Sequence, residues 1–291
     1  MTPGTPPEGV SGSSAMPGNS STAVRDHFSD PNSSDPIIDV AAWVGNYPFR
    51  GIINSSLGNL RVKAKALNML FIVASFDSLF HENNLDAFER WHETLAGEEY
   101  VEHWPVVNLD QPGQLRYLER LLDRYRPRGL RLMPNYHAYR LWHPEMDRLM
   151  AMAAERGIIV QICTRIADER WHWMLKIPAV SREDVDHVTS RYTDARVLVS
   201  GCAEIVRIAP RLRECPNFYA DTSRIRGPVL ALEHLANIAP LEKLVFGSLW
   251  PIQMIEASLW QITWTQLPEP TKANLLHGNF ARLAGMVTSA S

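Results

Sequence analysis

At 291 residues, with 45% hydrophobic and 21% charged side chains, the chain has enough apolar material for one large core. That length is ordinary for a single barrel domain. A net charge of -3 and a pI near 6.4 provide no global pull toward nucleic acid or anionic membrane, and no apolar run is long enough to span a bilayer.

Residues 1–34 are rich in Pro, Gly, Ser and Thr and lack the basic start and apolar centre of a signal peptide. They read as a disordered tail ahead of a folded unit over residues 35–291. The first strand is expected in the stretch 37–50, IIDVAAWVGNYPFR, where Ile37, Ile38 and Val40 are β-formers. Alternation would place Asp39, Ala41 and Trp43 on one face. Further strands are expected at 71–75, 104–109, 129–133, 158–162, 196–199, 217–220 and 243–246. Helices are expected at 85–95, 114–125, 146–156, 183–192, 205–214, 229–238, 253–263 and 271–283. The clearest helix is 114–125, with Leu115, Leu118, Leu121 and Leu122 on one stripe and Pro127 just beyond its end. Residues 164–178 form a longer insertion after strand five.

Strands alternating with helices imply a parallel sheet, since each crossover needs an element of that size. Eight units in about 250 residues match an α/β fold of the closed (β/α)8 TIM-barrel type. The competing doubly wound sheet lacks a Gly-rich phosphate loop after strand one. The three cysteines, Cys163, Cys202 and Cys215, are far apart without a C-x-x-C pair. They offer no disulfide framework and suit a reduced, cytoplasmic setting.

Three phrases carry a resemblance. The first strand is similar to one ending Asp-x-His-x-His-x-Gly, here Asp39, Ala41, Trp43 and Gly45. Val245-Phe246-Gly247-Ser248-Leu249-Trp250-Pro251 resembles an eighth-strand Leu-Phe-Gly-Thr/Ser-Asp-x-Pro, and Gly278-Asn279-Phe280-Ala281-Arg282-Leu283 resembles a closing helix. Together they resemble the amidohydrolase superfamily, in its branch of related decarboxylases and lactonases, over most of residues 37–286. The resemblance implies a barrel whose metal ligands would stand at Ala41, Trp43, Cys163, Ser200 and Leu249. Zinc or manganese needs three or more N, O or S donors converging on one point, and Ala, Trp and Leu supply none. No metal and no other cofactor is therefore expected, as in a ligand-deficient subgroup that Ser75-Phe76-Asp77, Pro134-Asn135-Tyr136-His137 and Asp168-Glu169-Arg170 also resemble.

In a barrel, reactive groups sit at the C-terminal ends of strands and on the loops that follow. That rule nominates Asp77 and His81 after strand two, and Asn135, Tyr136, His137 and Tyr139 after strand four. It also nominates Asp168, Glu169, Arg170 and His172 after strand five, Asp221 and Arg224 after strand seven, and Trp250 after strand eight. His137 suits a general base with Asp168 as its partner, Tyr136 and Asn135 as oxyanion donors and Arg170 as an anion clamp. Asp77, His81, Tyr139, Glu169, His172, Trp43 and Trp250 are the further substrate-binding candidates. His137 equally suits a backbone-carbonyl hydrogen bond within a turn, and Asp168-Glu169-Arg170 a salt-bridged staple. Trp43 would fill the space of the lost metal, with Leu249 beside it. Cys163 is better explained as a small buried side chain than as a nucleophile.

The expected function is metal-independent hydrolysis of a lactone, ester or amide-like bond in a small carboxylated substrate. The alternatives are a metal-free lyase, decarboxylase or isomerase, or a barrel that binds a ligand or partner without catalysis. The expected partner is a small-molecule substrate. Self-association as a homodimer is left open, and neither nucleic acid nor membrane is expected. A rim sealed by apolar packing would mark a scaffold, and an open pocket with convergent polar groups an enzyme.

Overall fold

Short apolar runs that become strands and amphipathic stretches that become helices alternate through the chain, as the periodicity dictates. The computed structural model describes residues 35–52, 55–167, 177–203, 205–225 and 230–286. Within them β1 (Ile37–Val44), β2 (Met69–Ser75) and β3 (Val101–His103) form one run of neighbours. β4 (Val106–Val107), β5 (Gly129–Leu132), β6 (Ile159–Cys163), β7 (Arg196–Ser200), β8 (Phe218–Asp221) and β9 (Leu244–Val245) form the next. Every pairing is parallel. The two runs are one barrel. Trp104 N donates to Val73 O at 2.9 Å and Arg131 N to Pro105 O at 2.8 Å, carrying the third position from β3 to β4, while Val40 N donates to Phe246 O at 3.0 Å and joins the last strand to the first.

Proline explains the split. Pro105 has no N–H to donate, so the ladder breaks there and the strand expected at 104–109 becomes two short pieces, the first beginning earlier at Val101.

The helical layer comprises α1 (Leu57–Leu67), α2 (Phe76–Phe80), α3 (Asn84–Thr94), α4 (Gln114–Tyr125), α5 (Met146–Arg156), α6 (Arg182–Arg191), α7 (Ile205–Glu214), α8 (Ala231–Ala236), α9 (Ile255–Thr263), α10 (Glu269–Ala273) and α11 (Asn279–Ala284). The stripe foreseen on α4 is buried at Leu115, Leu118, Leu121 and Leu122. Gly157 ends α5 in the left-handed conformation at φ 64, the role glycine fills without a Cβ penalty. α1 is an addition to the expected elements. Ser56 caps it by accepting from Asn59 N at 3.3 Å, and Leu60, Ala64 and Leu67 form its buried stripe. The closing helix expected over 271–283 runs through α10, a π turn at Asn274–Gly278 and α11.

Three apolar clusters divide the interior. The largest lies between barrel and helices, around Leu60, Phe71, Leu118, Leu149 and Phe218. Inside the barrel, a lower cluster holds Ile38, Val40, Ile72, Trp104, Ile159, Leu198 and Val245, sealed by Phe280 and Leu283 of α11. An upper cluster holds Ala41, Trp43, Ala74, Phe76, Met133, Cys163 and Leu249.

One expected phase is corrected here. Val40 enters the lower interior cluster and its neighbour Ala41 the upper one, which strict alternation forbids. The β1–β2 pairing shifts register between Asp39 and Ala42, so the strand carries a bulge that turns two successive residues inward. Asp39 is thereby thrown out of phase with Ala41 and Trp43 and faces the β9 turn instead.

Candidate functional site

The bulge in β1 builds the barrel's polar centre. Turning Val40 and Ala41 inward aims the Val40 and Ala42 carbonyls across the lumen, where Arg131 of β5 receives them. Arg131 Nη1 donates to Ala42 O at 2.8 Å, and Nη2 donates to Val40 O at 2.9 Å and Ile72 O at 2.7 Å. Gln161 of β6 adds a further bond to Val40 O at 2.9 Å. The guanidinium is fully buried and lies 5.0 Å over the Trp43 ring, a desolvated cation–π contact.

Two buried carboxylates flank this cation. Asp39 accepts from Ala41 N and Ser248 N at 3.0 Å each, and from the Ser248 hydroxyl. Burial pushes its pKa up to about 6, against the opposing pull of those hydrogen bonds. Asp221, at the end of β8, accepts from the Ser200 hydroxyl, Gly201 N at 3.2 Å, Ser223 N at 3.1 Å and Ser223 Oγ at 2.7 Å, and burial raises its pKa as well. Arg131 favours the ionised form of both, and they favour its own. Sequence reasoning named Asp221 only among rim residues and passed over Arg131, although a lone arginine in the apolar run Gly129-Leu130-Arg131-Leu132-Met133 was a usable signal. Such a charge is rarely buried without a partner.

Above this centre the lumen is packed. Trp43 is wholly buried, stacks on Phe76 at 5.2 Å, and shares its cluster with Met133, Cys163 and Leu249. Burial pushes the Cys163 thiol up to about 12, so at neutral pH it stands as a thiol. Tyr47, Phe49, Phe80 and Phe76 stack edge-to-face over the opening at 5.3–5.7 Å, and Tyr136 closes on Phe80 at 5.8 Å. The residues at the five inherited ligand positions do not fit a metal ion. Among the described residues no group of three or more His, Cys, Asp or Glu side chains is placed to hold one.

The nominated rim residues take up local bonds. Asn135 donates to Thr164 O at 2.8 Å and Pro178 O at 3.1 Å, lacing the loop after β5 to the loop after β6. His137 Nε2 lies 3.0 Å from Leu79 O, which can only accept, so the proton is on Nε2. Its Nδ1 is buried without a partner, and burial lowers its pKa. Tyr136 is hydrogen-bonded to Tyr47, and burial raises its pKa; Tyr139 is buried, with its hydroxyl unpartnered and its pKa raised by the same cause. Asp77 accepts from Trp91 Nε1; His81 caps α2 through its backbone N–H to Asp77 O at 2.8 Å, and its Nδ1 accepts from Asn83 N at 3.1 Å.

Trp250 departs from the rim position expected of it. Its ring packs 5.8 Å from Phe71 in the layer outside the barrel, because the turn after β9 directs it away from the lumen. Asp168, Glu169, Arg170 and His172 lie outside the described residues. The structure therefore brings Asn135, Tyr136 and His137 to one side of the mouth and leaves Asp77 and His81 on the α2 turn.

No curated protein sequence matched the chain. Solved structures share its architecture. The 5-carboxyvanillate decarboxylase of Sphingomonas paucimobilis superposes with a TM-score of 0.68 at 14% identity, over 87% of this chain and 99% of that one. A dihydroxybenzoic acid decarboxylase from Polaromonas sp. JS666, with bound manganese and the inhibitor 2-nitroresorcinol, gives 0.67 at 13% identity, over 86% and 97%. An uncharacterised TIM-barrel protein of Bordetella bronchiseptica gives 0.67 at 16% identity, over 86% and 99%. Identities this low speak for the fold alone. The amidohydrolase family model matches residues 54–285, most of the chain, and the protein belongs to the amidohydrolase family.

Proposed function

We propose that this protein is an amidohydrolase-type barrel whose inherited metal centre has become packed core, and that it acts by binding a ligand or partner rather than by metal-assisted hydrolysis. The observation that carries this reading is Trp43. A fully buried indole, stacked on Phe76 and bridged by Arg131, occupies the position where the family places a metal-binding histidine. Reaching that point would require a substrate to displace core side chains rather than water. The test is titration with Zn²⁺ and Mn²⁺ after dialysis against chelator, together with turnover assays on a lactone and on 2,6-dihydroxybenzoate. The reading expects no stoichiometric metal binding and no metal-stimulated turnover. One metal per chain, or turnover that rises with metal, would overturn it.

A second reading is metal-free acid–base catalysis on the loops after β5 and β6: hydrolysis of a lactone, ester or amide-like bond, or decarboxylation of a carboxylated substrate. It is favoured by the two Asn135 bonds that tie those loops together at the mouth. In this reading His137 and Asp168 exchange protons. Turnover without metal, abolished by both His137→Ala and Asp168→Asn in folded protein, would select it over the first.

A further inference from the structure

The opposite, N-terminal end of the barrel carries a cavity of about 330 Å³ lined by Arg196 at the start of β7, Asn217 and Tyr219 at the start of β8, and Arg282 of α11. Among the described residues, its two arginines lack the carboxylate partner that several other surface arginines have. Arg128, Arg140 and Arg191 each rest on a carboxylate. Arg196 donates only to Gly157 O at 3.2 Å, and Arg282 to the amide oxygens of Asn274 at 2.9 Å and Asn279. Two guanidinium charges thus converge on one cavity with neutral partners alone among the described residues.

Tyr219 lies in the field of both, and its phenol donates to no protein acceptor among the described residues. Burial nevertheless raises its pKa, keeping the O–H as a donor. A third cation, Lys243, sits 4.4 Å over the Tyr219 ring. Asn217 spends its Nδ2 on Tyr192 O at 2.9 Å and Ala195 O at 2.5 Å, leaving its Oδ1 buried without a donor. Asp194, on the cavity lip, is the one acidic side chain in the lining.

Two planar forks and a hydroxyl donor match the oxygens of a phosphate group. A second cavity of about 630 Å³, walled by Leu122, Pro127, Ile158 and Ala284, lies beside the first, since Gly157 lines it and Leu283–Ala284 spans both. Asp123, Arg126, Arg128 and Arg156 line it as well, so its wall is mixed, with an apolar strip at Leu122, Pro127, Ile158 and Ala284 that suits a small organic group. We propose that the N-terminal end of this barrel is a ligand site for a small organic phosphate, its phosphate held by Arg196, Arg282 and Tyr219 and its organic part beside Ile158 and Ala284. The site stands apart from the C-terminal mouth and does not depend on which function that mouth performs.

Calorimetric titration of the full chain with inorganic phosphate, phenyl phosphate and benzoate, at constant ionic strength in chloride, tests the proposal. Phenyl phosphate should bind tightest, with inorganic phosphate weaker and benzoate weakest. Arg196→Gln and Arg282→Gln should each weaken phenyl phosphate by about ten- to hundredfold, as loss of a charge-assisted hydrogen bond does, and Tyr219→Phe by about two- to tenfold. Arg282 also braces α11, so Arg196→Gln, with an unshifted thermal midpoint, is the deciding variant. No phosphate binding above the chloride background, binding unchanged in Arg196→Gln, or benzoate binding as tightly as phenyl phosphate would each overturn the phosphate site. Phenyl phosphate binding no tighter than inorganic phosphate would overturn its organic half.

Discussion

Replacing Trp43 by alanine interrogates the packed centre most directly. The ring is wholly excluded from solvent. At about 25 cal/mol per Å² over the ~150–250 Å² that such a ring buries, the transfer loss is about 4–6 kcal/mol. Measured Trp-to-Ala changes in cores cost ~3–5 kcal/mol, because surroundings relax into part of the space. Relaxation here is restricted on two sides. Phe76 is stacked on one aromatic edge of the cluster, and Arg131 is pinned by three backbone carbonyls and cannot swing into the void. A loss of about 4 kcal/mol is expected, and for a domain of this size it corresponds to a fall of roughly 8–16 °C in melting temperature. Thermal unfolding followed by near-ultraviolet circular dichroism reads the change. A fall of less than about 3 °C would show that the indole is not the centre of the packing, and the argument that it replaces the metal would fail with it.

Arg131→Met should cost about 3–5 kcal/mol in urea unfolding, since it removes the side-chain donor to the Ala42 and Ile72 carbonyls, leaves Val40 O to Gln161, and leaves Asp39 and Asp221 without their cation; a neutral result would mean the cation is dispensable. Gly201→Ala should abolish soluble folded protein, because its φ is 70 and an added Cβ would stand 2.1 Å from Arg165 O; wild-type yield and melting would contradict this. Burial holds the folded-state pKa of His103 well below 6.5, and those of His92 and His137 lower too. The unfolded chain therefore binds more protons below pH 6.5, so stability falls as pH drops through that value, by up to about 2 kcal/mol per non-protonating histidine at pH 5. Asp39, raised to about 6, contributes the opposite slope between about pH 4 and 6. His103→Phe should flatten the acid-side loss measured by urea midpoints from pH 7 to 5, and an unchanged slope would remove His103 as its source.

The barrel was legible because its signals are repetitive. Each helix had only to bury one stripe and each strand one short apolar run, so local pattern and global fold agree. What local pattern could not carry was whatever one residue does to its neighbours' phase. Strict alternation along 37–44 fails at a single bulge, and that bulge decides which carbonyls meet Arg131. The rim was harder still. Asn135, Tyr136 and His137 were chosen for their chemistry, but a polar side chain on a loop serves the loop's own backbone first. Leu79 O, Thr164 O and Pro178 O, the acceptors that engage them, are invisible to residue type. Ser200 was read as a loss from a metal site and Ser248 only as part of the eighth-strand phrase. They are also the hydroxyls that satisfy Asp221 and Asp39, a role that emerges only when two distant strands are placed side by side.

The bond from Arg131 back to the first strand bears on the order in which the chain matures. Val40 is synthesised 91 residues before Arg131 and 121 before Gln161, the two side chains that receive its inward-turned carbonyl. A ribosome adding about 5–20 residues per second leaves that carbonyl to water for several seconds or more. β1 can pair with β2 in that interval, but its bulge has no internal partner until β5 and β6 have left the exit tunnel. The nascent chain should therefore gain protease resistance in β1 abruptly, once β6 is exposed, rather than gradually as each unit appears.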